Sequence, residues 1–138
     1  WAMAVRFSFK ASVLINGENP GILGTLNPDG SPQTSVVWVG QDGDDLLISS
    51  AAGRRKVRNL ERDPRASLTI VDYQDMEQYI EVRGTATVTE DTGRALAVAL
   101  AEKYEGPGAG QEFLDRPPEE VRVVIRLTPD KIVGSAAS

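Results

Sequence analysis

The chain has 138 residues and a net charge of -5, and it contains neither cysteine nor histidine. That length belongs to one domain, and 41% hydrophobic residues can fill a core without disulfide or metal staples. The two missing residue types exclude disulfides, thiolate or imidazole zinc sites, histidine-held haem, cysteine nucleophiles and serine–histidine hydrolases, which leaves Asp, Glu, Lys, Arg, Tyr, Ser or a bound cofactor to do any chemistry.

In chain order, the stretch SFKASVLING places apolar Phe9 and Val13, with Leu14, at the spacing of a short amphipathic helix. Ile22, Leu23 and Leu26 form a first strand that ends at the turn NPDG. QTSVVWV reads as a second strand, GQDGDD as a turn and LLIS as a third strand, so this part is an antiparallel meander. GRRKVRNLERDP reads as a short helix with Gly53 outside it, Val57 and Leu60 on its inner face and Pro64 ending it. RASLTIVD and YIEVRGTATVTE are two further strands, the second with a bulge or bend at Gly84. In DTGRALAVALAEKYEG, Leu96, Leu100 and Tyr104 recur every fourth residue and mark a second good helix. PGAGQEFLDRPPEE is a Gly/Pro loop, and VRVVIRLTPDKIVGS a last strand with a tail that pairs again at Ile132 and Val133. About six strands and two or three helices predict a mainly β fold, an antiparallel β-barrel, closed or partly closed, with peripheral helices.

One cluster stands out. Six of the fifteen basic residues (Arg54, Arg55, Lys56, Arg58, Arg62 and Arg65) fall in one short stretch, opposed there only by Glu61 and Asp63. Arg54, Arg55 and Lys56 sit in the first turn of their helix, where the macrodipole and the free N–H groups already carry positive charge. Each such cation costs a few tenths of a kcal/mol when exposed, so the arrangement suggests a bound anion. Ser49 and Ser50, ending the preceding strand, add hydroxyl donors suited to a phosphate. The competing reading is an ordinary basic surface helix, with Arg58, Arg62 and Arg65 solvated or paired with carboxylates.

Other motifs carry less. GPGAG is interrupted by Pro107 and lacks the Lys-Ser/Thr of a nucleotide loop, and DGDD lacks the spaced ligands of a calcium loop. Trp38, Tyr73 and Tyr79 read first as packing or interface residues. The pI of about 4.8 argues against a general nucleic-acid binder. No apolar run reaches the roughly 18 residues of a membrane span, and the first ten residues lack a signal peptide's apolar centre, so the expected location is the cytoplasm. Trp1 and Ala2 precede Met3 and are read as additions, which draws the domain over residues 3–138.

The order GILGTLNPDGSPQTSVVWV, LLISSAAGRRKVRNLERDPRASLTIVD, YIEVRGTATV resembles the flavin- and deazaflavin-dependent split β-barrel proteins. Within them it is most similar to the pyridoxamine 5′-phosphate oxidase-like, F420-dependent oxidoreductases of actinobacteria. The resemblance covers about residues 8 to 104 and extends to the closing strand VVIRLTPDKIVG. It implies a homodimer with two cofactors at the subunit interface and hydride transfer between reduced deazaflavin F420 and a small unsaturated or quinone-like molecule. It also implies that Ser49, Ser50, Arg54, Arg55, Lys56 and Asn59 grip the cofactor phosphate. Gln33, Thr34, Ser35, Val36 and Val37 would lie along the ring, with Val37 and Val39 also core. The surplus of arginine leans to F420, which bears a phosphodiester and a glutamate tail; the alternatives are FMN, with its single terminal phosphate, or binding without turnover. Tyr73, Tyr79, Lys56 or solvent would supply a proton. A chain without histidine lacks part of the oxidases' substrate-phosphate contacts, which argues against oxidation of vitamin B6 phosphates. Neither nucleic acid nor membrane is expected as a partner.

Overall fold

A computed structural model describes residues 5–138. The reading of Trp1 and Ala2 lies outside the described residues. Among those residues the chain forms seven strands and four α-helices, against about six strands and two or three helices expected. None of these helices is long and apolar enough to cross a membrane.

Helix α1 (Phe9–Asn16) starts at Ser8, whose Oγ accepts from the Ala11 N–H at 3.0 Å. It buries Ala11, Leu14 and Ile15, whereas Phe9 and Val13 are 86% and 57% exposed. Of the expected apolar face, Phe9 and Val13 are thus turned outward while Leu14 meets the core. At about 100° per residue the two apolar stripes lie on opposite sides of the helix, and the core takes the one with three members.

Strands β1 (Gly21–Leu26) and β2 (Pro32–Val37) form a hairpin whose turn places Gly30 at φ 85°. GQDGDD holds more than a turn: β3 (Gly40–Asp42) pairs with β4 (Asp45–Ala51) through a tight reversal at Gly43. Helix α2 (Arg55–Arg62) buries Val57 and Leu60 as expected and stops at Asp63, before Pro64. Then come β5 (Arg65–Val71), β6 (Tyr79–Glu90), a 3₁₀ turn (Thr92–Arg94), α3 (Ala95–Glu105), α4 (Gln111–Leu114) and β7 (Arg122–Val133). The register slips between Arg83 and Gly84, where a Cβ would stand 2.0 Å from the Thr128 carbonyl oxygen. Only glycine fits that bulge. Ile132 and Val133 pair with Val82 and Glu81, within one continuous strand rather than a separate tail.

The strands make one antiparallel sheet in the order β2-β1-β5-β6-β7-β4-β3. Laid flat, its ends would stand about 29 Å apart at the usual strand spacing. Yet Leu23 and Val37 from one end share a core with Leu46 and Ile48 from the other. The sheet therefore curls round a single core without closing by hydrogen bonds, which is the split-barrel form of the expected fold. Helix α3 spans the gap. Its Lys103 Nζ donates to the Ile15 and Val39 carbonyls at 2.7 and 2.6 Å, and the Tyr104 hydroxyl donates to the Asn19 carbonyl while accepting from the Val39 N–H. The Gly/Pro loop is less plain than expected, because α4 within it buries Phe113 against Ala97 and Ala101 of α3.

Candidate anion and cofactor site

Helix α2 has two chemistries. Its inner face buries Val57, Asn59 and Leu60, its outer face carries exposed Arg55 and Arg58, and Lys56 lies between them, half-buried. Arg54 precedes the first turn without a side-chain cap, and that turn contains no acidic residue.

Lys56 Nζ lies 3.4 Å from the Ser35 Oγ of β2. Burial pushes its ammonium below the usual lysine range, and the charges of Arg54 and Arg122 push it further. Arg122, the first residue of β7, pairs with Ala51 at the end of β4. Its Nη2 donates to the Ser49 Oγ at 2.8 Å, and its guanidinium lies 4.9 Å from the centre of the Phe113 ring. Its Nε is buried with no acceptor. Burial also lowers the Arg122 pKa; Arg116 and Arg54 act the same way, against Glu120 and Asp91.

These groups surround a cavity of about 180 Å³, lined among others by Val36, Trp38, Ser49, Lys56, Phe113 and Arg122. Trp38 is held there by stacking on Tyr104, with ring centroids 5.4 Å apart. Of the six clustered basic residues only Arg65 is ion-paired among the described residues, to Asp63 at 2.7 Å. Arg62 instead donates to the Leu26 carbonyl and to Asn59 Oδ1, tying α2 to β1. Lys56 and Arg122 thus line one half-buried hollow with no carboxylate in salt-bridge range among the described residues, the charge of Arg54 reaches both, and the walls are low in dielectric. An anion there would offset the charges of Lys56 and Arg122 at once, with that of Arg54 nearby.

The structure gathers some expected residues and separates others. Ser35, Val36, Val37, Ser49 and Lys56 come together at this hollow, while Arg54 and Arg55 are both exposed and outside its lining, although the charge of Arg54 reaches Lys56 and Arg122. Asn59 lies elsewhere: it is fully buried, and its Nδ2 donates to Thr25 Oγ1 at 3.0 Å and Asn27 Oδ1 at 3.1 Å. Gln33 belongs to the same inner network through Thr25 Oγ1 at 2.6 Å. Ser50 is 4% exposed and donates to the Ala51 carbonyl, and exposed Thr34 faces a different hollow beside Arg65. Of the three side chains named as proton donors only Lys56 lines the cavity; Tyr73 and Tyr79 are 70% and 40% exposed elsewhere. Sequence reasoning missed Arg122 and Phe113. The signal that finds Arg122 is register, since pairing with Ala51 sets it beside Ser49.

Comparison with known proteins agrees with this fold. A solved structure described as an F420 reductase is 30% identical, with a TM-score of 0.76, over 88% of this chain and 94% of its own. A conserved hypothetical protein of Mycobacterium tuberculosis is 24% identical, with a TM-score of 0.75, over 96% of this chain and 86% of its own. A heme storage protein of Vibrio cholerae shares the fold at 16% identity and a TM-score of 0.68, over 94% of this chain and 95% of its own. Residues 10–135 match the family described as pyridoxamine 5′-phosphate oxidase, and the chain belongs to that family.

Proposed function

We propose that the protein is an oxidoreductase that holds F420 by its phosphate at Lys56 and acts on a small unsaturated or quinone-like molecule. One observation carries this reading: Lys56 and Arg122 line a single hollow with no carboxylate in salt-bridge range among the described residues, and the charge of Arg54 reaches both. The likeness to a protein described as an F420 reductase supports the choice of cofactor.

The residues suit the group. A hollow of about 180 Å³ takes a phosphate but is smaller than the roughly 300 Å³ or more of a site for a whole ligand. The rest of the molecule would lie along β2, the sheet's edge strand, whose outward backbone groups are unpaired and whose Val36 is 74% exposed. Such a half-open site would be completed by a second copy of the chain, in a homodimer. When bound, reduced F420 supplies a hydride. Lys56 and Arg122 hold the charge, Ser35 and Ser49 orient those two cations, and Val36, Trp38 and Phe113 exclude water. FMN, whose terminal phosphate suits the same hollow, is the competing ligand.

A paired fluorescence titration with F420 and with FMN tests the proposal. Tighter binding of F420 supports it. Tighter binding of FMN moves the protein to the flavin branch, and binding of neither refutes the phosphate reading.

A further inference from the structure

We propose that Arg122 is an anion ligand of this hollow and that Arg94, which does not line it, is the residue that positions Arg122. This rests on reading the hollow as a phosphate site. Arg94 ends the 3₁₀ turn with φ 57° and ψ 28°, the sole non-glycine residue with positive φ among the described residues. A side chain is unfavourable there, and such conformations persist where the surroundings enforce them.

The guanidinium explains the enforcement. Its Nη1 donates to the Phe113 and Arg116 carbonyls, both at 2.8 Å, and its Nη2 to the Pro117 and Glu120 carbonyls at 2.5 and 2.8 Å. Three of the acceptors lie in the segment leading from α4 into β7, and the fourth, Phe113, in α4 itself. An irregular segment has no ladder to satisfy its carbonyls, and one planar fork with five N–H groups reaches three of them and the end of the helix before it.

The same turn holds Arg122 from behind. The Asp91 N–H donates to the Arg122 carbonyl at 2.8 Å. The Asp91 carboxylate accepts from the Leu96 and Ala97 N–H groups, both at 3.0 Å, and so fixes the turn to the start of α3. Arg94 also grips Phe113, the residue whose ring supports the Arg122 guanidinium. Backbone, ring and Ser49 hydroxyl therefore hold Arg122 in place, while its buried Nε is left without an acceptor. Holding a desolvated cation beside Lys56 and Arg54 is unfavourable in the free protein. Two cations lining one hollow, with Arg54 nearby and no carboxylate in salt-bridge range among the described residues, give the arrangement one chemical complement, an oxyanion.

The test uses the full chain with Arg94→Met, Arg94→Lys, Arg122→Met and Lys56→Met, singly and in pairs. In cofactor-free protein, proton NMR should show a slowly exchanging Arg122 Nε–H that survives K56M, is lost in R94M and is partly recovered in R94K. Titration with inorganic phosphate should shift that signal. Cofactor affinity should fall roughly tenfold or more in R94M, the size of one lost charge-assisted contact. It should fall no further when R94M is added to R122M, yet fall again when R94M is added to K56M. An Arg122 signal unchanged by R94M, or R94M and R122M effects that multiply, would overturn the positioning role. An Nε–H that ignores phosphate would overturn the ligand role. If phosphate shifts the signal but neither F420 nor FMN binds, the inference stands and the proposed cofactor fails.

Discussion

Two of the molecule's hollows are opposite in character. The larger, about 720 Å³, runs between α1 and the β5–β6 connection and is walled by Phe9, Val13 and Tyr73; its cation, Lys10, is engaged by the Ser135 carbonyl. The smaller has a quarter of that volume, but its cations, Lys56 and Arg122, have no carboxylate in salt-bridge range among the described residues. Volume measures how much ligand a surface can cover, whereas uncompensated charge states which ligand it lacks. For an anionic cofactor the small hollow is the stronger site, because an unpaired buried charge is far costlier than exposed apolar surface.

Removing the charge should collapse the contrast, and this is the largest effect expected. Arg54→Ala with Lys56→Ala should weaken F420 or FMN binding at least ~100-fold, since each charge-assisted contact contributes roughly 1.5–3 kcal/mol. Circular dichroism and the melting curve should stay close to wild type; loss of fold together with binding would sink the distinction between α2's outer cations and its inner face. Asn59→Leu probes that inner face. It leaves Thr25, Asn27 and Arg62 without their shared partner and should lower stability by roughly 2–3 kcal/mol in a denaturant melt.

A third measurement uses pH. An anion beside Lys56 favours its charged form, so binding takes up protons wherever the free ammonium, held below its usual 10.5, has begun to dissociate. Affinity should therefore decline as pH rises toward 10.5, and Lys56→Met should flatten the decline; an equal slope in both proteins would remove Lys56 from the site. The smallest effect belongs to the large groove. Phe9→Ser, at a side chain 86% exposed, should change stability by about 0.5 kcal/mol or less and leave cofactor affinity alone. A tenfold loss would join the two hollows into one site.

Local chemistry was readable from the chain. NPDG, Gly84 and Pro64 mark a turn, a bulge and a helix stop because each acts through its own backbone limits. The basic cluster was readable as charge but not as geometry. Whether a residue on α2 faces the hollow or the core depends on helix phase, and Asn59 falls inward with Val57 and Leu60. Arg122 was invisible for a different reason. It reaches the site by strand register, through β4–β7 pairing across a long sequence separation, and no local pattern encodes that. The two apolar stripes of α1 were equally present in the sequence, and only packing selects between them.

The Lys103 and Tyr104 bonds across the split make the barrel a late-locking object. Their acceptors at Ile15, Asn19 and Val39 lie 64 to 88 residues away along the chain, so they can form only after both ends of the sheet have been brought round. Burial pushes the Lys103 ammonium down to about 8, while the unfolded chain keeps its proton to about 10.5. The unfolded state therefore binds more protons in that window, and this residue's contribution makes the folded state more stable as pH rises through it. In native-state hydrogen exchange, the Val39 amide, bonded to Tyr104 alone, becomes the reporter of the seam. It should exchange through a partial opening in which α3 lifts as a unit while the β6–β7 ladder stays shut.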